Sequence, residues 1–148
     1  MNSKVIAIDG PAGAGKSTVA KLLARKIGYT YIDTGAMYRA LTLKLLKENV
    51  NLEDKEKIIQ IARSTEIDFN DNSIFLDGVN VDDLIREEAV NKNVSSVAAI
   101  PEVRRIMVDL QRKVSNNKNI VMDGRDVGTV IFPNAYRKFY ITASVEER

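Results

Sequence analysis

The sequence predicts an α/β fold: a parallel central sheet in a three-layer arrangement with helices, carrying a small antiparallel β insert. Three observations predict it. Short β-branched runs alternate with amphipathic helical segments, the pattern of a parallel sheet with covered faces. A glycine-rich stretch, GPAGAGKST (Gly10 to Thr18), separates the first strand from the first helix. In the middle of the chain the helical period gives way to strict apolar–polar alternation around Asp77-Gly78, a strong two-residue hairpin signal.

The elements follow in order. KVIAID (Lys4 to Asp9) reads as a buried strand, and TVAKLLARKIG as a helix with Val19, Leu22, Leu23 and Ile27 at helical spacing and Gly28 as its stop. YTYID (Tyr29 to Asp33) is the second strand. TGAMYRALTLKLLKEN is a helix with Met37, Leu41 and Leu45 on one stripe, and Leu52 to Ser64 is another. EIDFNDNSIFLDGVNVDDLI supplies two or three short antiparallel strands, within an insert at about 64–100. A helical segment spans Val90 to Ala99, and Pro101 suits the first turn of a helix reaching about Asn116. NIVMDG (Asn119 to Gly124) and RKFYIT (Arg137 to Thr142) complete the sheet. Ser144 and Glu147 have the spacing of a capping box, and the sequence stops one residue later, so a longer parent protein is expected.

Composition removes whole classes of chemistry. There is no cysteine, hence no disulfide or thiolate metal site, and no histidine, hence no histidine-based triad. A net charge of +2 gives no bulk case for nucleic-acid or membrane binding. No run reaches membrane-spanning length, and the apolar N-terminal stretch is needed as a strand, which predicts a cytoplasmic protein.

Gly10, Gly15, Lys16 and Ser17 satisfy G-x-x-x-x-G-K-[ST], with a strand before and a helix after, so the motif reads as a P-loop. Gly10, Pro11, Ala12, Gly13, Ala14, Gly15, Lys16, Ser17 and Thr18 are therefore candidate ATP-binding residues. Backbone N–H groups would surround the phosphates, Lys16 would reach the terminal phosphates, and the Ser17 hydroxyl would ligate Mg²⁺. Ligands in such sheets lie at the carboxyl ends of strands. Asp33-Thr34-Gly35 and Asp123-Gly124-Arg125-Asp126 end two of them.

A donor loop does not name its acceptor. A nucleotide-hydrolysing switch would need further motifs, such as N-K-x-D, which this sequence lacks. A small-metabolite kinase would use a carboxylate such as Asp33 or Asp123. A nucleoside monophosphate kinase needs no base, because its acceptor is an already ionised phosphate. It needs cations to bring two anions together. Arg39 and Arg125 follow the second and third core strands, where guanidinium forks can grip phosphate, and Tyr38 adds a hydroxyl donor. Lys16, Arg39 and Arg125 are the catalytic candidates. On the last long helix, Val103, Ile106, Met107, Leu110 and Val114 share one face, with Arg105 and Arg112 pointing away. Arg104 flanks the stripe on the side of Gln111.

Together GPAGAGKST, DTGAMYR, SSVAAIPEVR with QRK, and DGRDVGTVIFP resemble the bacterial-type cytidylate kinases, in order and over nearly the whole chain. The resemblance implies transfer of the ATP γ-phosphate to CMP or dCMP; nothing in the sequence demands more than a monomer, and its charge gives no case for a nucleic-acid or membrane partner. The resemblance places the antiparallel insert in the monophosphate-binding lobe. It assigns Tyr38, Arg39 and Arg125 to the acceptor phosphate, Thr34 to the neighbourhood of the acceptor ribose, and Ser95, Arg104 and Asp126 to the cytosine edge. It also implies a continuation beyond ASVEER that carries an arginine-rich lid. Another P-loop small-molecule kinase, or a nucleotide-binding fragment without turnover, is the alternative reading.

Overall fold

The computed structural model describes residues 3–11, 14–70 and 72–142. The capping box at Ser144 and Glu147 lies outside them, as do Ala12 and Gly13 of the glycine-rich loop. The chain divides into two compact units, one formed by Met1–Thr34 with Ser115–Arg148, the other by Gly35–Val114.

The first unit is built on a four-stranded parallel sheet. Its strands are β1 (Val5–Asp9), β2 (Thr30–Asp33), β6 (Ile120–Gly124) and β7 (Arg137–Tyr140), in the order β2-β6-β1-β7. All four predicted core strands are present. The register sets Asp9 opposite Gly124 and Asp33 opposite Asp123, so the polar strand ends share one edge of the sheet. Every residue of β6 is buried, as expected of a central parallel strand flanked on both sides.

Helix α1 (Lys16–Ile27) packs on one face of this sheet, through a different face from the one its large apolar residues suggest. Ala20 and Ala24 are buried against Ile6, Ile8, Tyr31 and Val121, and of the predicted apolar residues Leu23 packs against them, partly buried. Val19, Leu22 and Ile27 are 44%, 59% and 41% exposed. Two alanines four residues apart let the helix backbone approach the sheet closely, and proximity outweighs side-chain size. The helix ends at Gly28, which takes the left-handed conformation (φ 74) as the sequence predicts.

The second unit contains most of α2 (Thr34–Lys47), then α3 (Lys55–Arg63), the antiparallel sheet β3 (Ile67–Asn70), β4 (Ser73–Leu76) and β5 (Val79–Asn80), and helices α4 (Glu88–Ala98) and α5 (Pro101–Val114). Met37, Leu41 and Leu45 are fully buried on α2, as their stripe predicts. Helix α3 starts three residues later than the sequence suggests. Asp54 caps it by accepting from Lys57 N at 3.2 Å, leaving Leu52 in the preceding turn. The β4–β5 turn has Asp77 at φ 48 and Gly78 at φ 85, both left-handed as a tight hairpin requires. Lys44 pairs with the Asp77 carboxylate at 2.7 Å, and the same carboxylate accepts from Glu66 N at 2.9 Å, so the hairpin is tied to α2 and to the start of β3. Helices α3 and α4 and strand β3 pack on α5, whose buried line is Val103, Met107, Gln111 and Val114. The buried line is thus rotated toward Gln111, with Ile106 and Leu110 only partly covered.

Candidate functional site

The glycine-rich loop leaves β1 through Gly10, whose φ of 152 lies in the range L side chains rarely adopt. A Cβ there would meet the Ile141 carbonyl oxygen, which is main chain and cannot swing aside. Gly15 (φ 82) is the N-cap of α1 and offers no side-chain cap, and no acidic residue occupies the first turn. Among the described residues no side chain caps the amide groups at the start of α1, and an anion suits such a terminus. Lys16 and Ser17 open the helix, so the backbone places an ammonium and a hydroxyl at that terminus.

Beside them is a carboxylate that the sequence presents only as one candidate base. Asp123, near the end of β6, is 1% exposed. The Tyr31 hydroxyl donates to its Oδ2 at 2.8 Å, and the Ser17 hydroxyl is also within hydrogen-bonding reach of the carboxylate. Burial, and then the charge of Asp33, push the Asp123 carboxyl up to about 6. The Tyr31 and Ser17 hydrogen bonds and the Lys16 charge work in the opposite direction. Burial and both carboxylates likewise hold the Tyr31 phenol far above its ordinary range, so it remains a donor. Lys21 lies 5.8 Å from the centre of the Tyr31 ring. Asp33 and Asp123 are register partners, which a reader of the sequence could infer only after aligning the two strands.

This donor set fits a hard divalent cation. Ser17 and Asp123 supply oxygen at one place. A site with few protein oxygens suits Mg²⁺, which keeps waters and phosphate oxygens as its other ligands.

The remaining candidates divide between the two units. In the first, Thr34 is 6% exposed, and its hydroxyl donates to the Asp123 carbonyl at 3.0 Å. Thr34 therefore ties the end of β2 to β6. Gly124 leaves room for it, because a Cβ at Gly124 would strike Thr34 Oγ1. Arg125 and Asp126 follow β6 and are exposed. Asp126 is left-handed (φ 60) and precedes a π-helical turn, Val127–Ile131, that the sequence pattern does not announce. In the second unit, Tyr38 and Arg39 stand on α2, Ser95 on α4 and Arg104 on α5. The fold brings Tyr38 and Arg104 into electrostatic range. Burial raises the Tyr38 phenol, and the Arg104 guanidinium opposes that shift. Arg104 and Ser95 are exposed, and Arg105 turns outward to pair with Glu102 at 3.4 Å.

The described residues contain no helix long and apolar enough to cross a membrane. In sequence, residues 6–148 match the family model described as cytidylate kinase. A cytidylate kinase of Caldanaerobacter subterraneus subsp. tengcongensis is 59% identical over 143 residues, 97% of this chain and 64% of its own length. Cytidylate kinases of Fusobacterium nucleatum and Clostridioides difficile are 52% and 51% identical over 148 residues, all of this chain and 68% of each relative. The chain thus spans about two-thirds of the length of these curated relatives, between 64% and 68%.

Proposed function

Because this chain belongs to the cytidylate kinase family, we propose that its protein transfers the γ-phosphate of ATP to CMP or dCMP, giving ADP and CDP or dCDP. The observation that carries the reading is the junction of β1 and α1. There Lys16, Ser17 and uncapped helix amides stand together beside Asp123, at the carboxyl edge of a parallel sheet.

The roles follow from charge. The glycine-rich loop from Gly10 to Thr18 cradles the donor phosphates with its amides, and Lys16 offsets charge on the β- and γ-phosphates as the bond to the leaving oxygen breaks. Mg²⁺, when bound, neutralises phosphate charge, and Ser17 with Asp123 would hold it. Arg39, Arg125 and Tyr38 take the acceptor phosphate, and Ser95, Arg104 and Asp126 read the base. A carboxylate accepts from the cytosine amino group, whereas a uracil carbonyl would face it without a proton. No side chain has to act as a base, since the attacking phosphate oxygen is already ionised. We read the protein as a cytoplasmic monomer, with ATP, CMP and dCMP as its ligands and no nucleic-acid or membrane partner.

The test is ADP release by the protein with ATP and Mg²⁺ across CMP, dCMP, UMP and AMP. Turnover with CMP or dCMP well above that with AMP is expected. Equal rates with AMP would remove the assignment.

A further inference from the structure

Asp9 is the last residue of β1 and the one before Gly10. Both of its carboxylate oxygens are engaged by the loop that follows β6. Oδ1 accepts from Val127 N at 2.7 Å, and Oδ2 from Gly128 N at 2.9 Å. These are short bonds to an ionised acceptor, and such bonds are about twice as strong as neutral ones. Paired amides at the start of a helical turn form an anion-binding concavity, and here the anion is a side chain of the protein itself.

The surroundings leave the clamp little freedom. On its main-chain side Asp9 is paired to Gly124 of β6, and its carbonyl accepts from Ile141 N at 2.8 Å. Val127 and Gly128 are buried. A Cβ on Gly128 would lie 3.1 Å from the Lys138 side chain and 3.3 Å from Asp9 Oδ2, both tighter than an ordinary contact, so the absence of a side chain there leaves room for both to approach. Immediately before this pair of amides stand Arg125 and Asp126, the latter held left-handed, with its carbonyl accepting from Val130 N at 2.9 Å.

We propose that Asp9 is a positioning residue: its carboxylate, bridging Val127 N and Gly128 N, locks the Arg125–Asp126 turn to the first residue of the glycine-rich loop. The proposal rests on the functional reading above, in which that loop holds the donor and that turn meets the acceptor. Phosphoryl transfer depends mainly on placing the two reactants, and a shift of about 1 Å costs roughly 100-fold. A rigid link between the two loops supplies that placement without touching either substrate.

Asp9→Asn tests it. The amide keeps the shape but turns one acceptor oxygen into a donor facing a backbone N–H, so the turn must move. Calorimetry should show CMP binding weakened about tenfold, and kcat with saturating ATP should fall by ~10-fold or more. Affinity for a non-hydrolysable ATP analogue should change by less than about threefold on the same scale. In an Arg125→Ala background, Asp9→Asn should add little further loss of CMP affinity, because the two act through one turn. Gly128→Ala, whose methyl would crowd both Asp9 Oδ2 and the flexible Lys138 side chain without removing charge, should weaken CMP binding in the same direction. It serves as the test if Asp9→Asn does not fold. CMP affinity unchanged in the variant tested, or full additivity with Arg125→Ala, would overturn the proposal. Wild-type protein that neither binds nor phosphorylates CMP would overturn the functional reading as well. Wild-type turnover with an unaffected Asp9→Asn would overturn the role of Asp9 alone.

Discussion

Tyr31 donates its phenolic proton to Asp123 Oδ2 at 2.8 Å, joining a residue of β2 to the end of β6 inside the first compact unit. The bond compensates part of the cost of a carboxylate that is 1% exposed and lies next to Asp33. That compensation is incomplete, and the first prediction follows from the remainder.

In the absence of nucleotide and Mg²⁺, Asp123 should make the protein less stable as pH rises. Its folded-state value is about 6, above the ordinary 3.8, so the folded chain holds this proton more tightly than the unfolded chain. The stability it contributes is fully present below the unfolded value and is lost as pH climbs through about 6. At 1.36 kcal/mol per unit, the loss is on the order of 3 kcal/mol. Denaturant melts of wild type and Asp123→Asn across pH 4 to 8 measure it by difference (range as a guide, about two units either side of the transition). The asparagine variant should gain stability relative to wild type at the upper end while losing Mg²⁺-dependent turnover. A constant difference across the range would contradict the assignment.

Lys16→Ala should lower kcat by ~10²-fold or more, with a smaller effect on the affinity for ATP. The ammonium is expected to count most when charge moves toward the leaving oxygen. Steady-state kinetics beside equilibrium binding of an ATP analogue separate the two effects. Loss confined to binding would place Lys16 in ground-state recognition only.

Asp126→Asn should narrow the preference for CMP over UMP by about tenfold, one decade being ~1.4 kcal/mol. Asparagine tolerates the left-handed conformation that Asp126 adopts, so the turn itself should survive. The ratio of kcat/KM for the two nucleotides is the readout. An unchanged ratio would remove Asp126 from base recognition.

Gly124→Ala should destabilise the protein by roughly 1–3 kcal/mol, the usual cost of overpacking. The added methyl would collide with Thr34 Oγ1, which is held in place by its bond to the Asp123 carbonyl. Combining it with Thr34→Ala should cost less than the sum of the two single changes, since each relieves the other's contact. Chemical denaturation of the three variants gives the coupling, and strict additivity would show that the neighbour yields elsewhere.

Local pattern carried much of this architecture. The strands of the parallel sheet, the Asp77-Gly78 hairpin, the Gly28 stop and the stripe Met37–Leu41–Leu45 are all legible because each depends on residues a few positions apart. The strand–glycine-rich loop–helix order is legible for the same reason, since the loop motif lies within nine consecutive residues. Other features need strands to be laid side by side. That Asp33 and Asp123 are neighbours, that Tyr31 and Ser17 both reach Asp123, and that Asp9 clamps amides 118 and 119 positions away are consequences of register. The face of α1 is of this kind too. The sequence by itself determined that a helix runs from about residue 18 to its stop at Gly28, because propensity and period act locally. Only the tertiary structure decided that Ala20 and Ala24, and not Val19 and Leu22, meet the sheet, because the closeness of helix and sheet belongs to the packed fold.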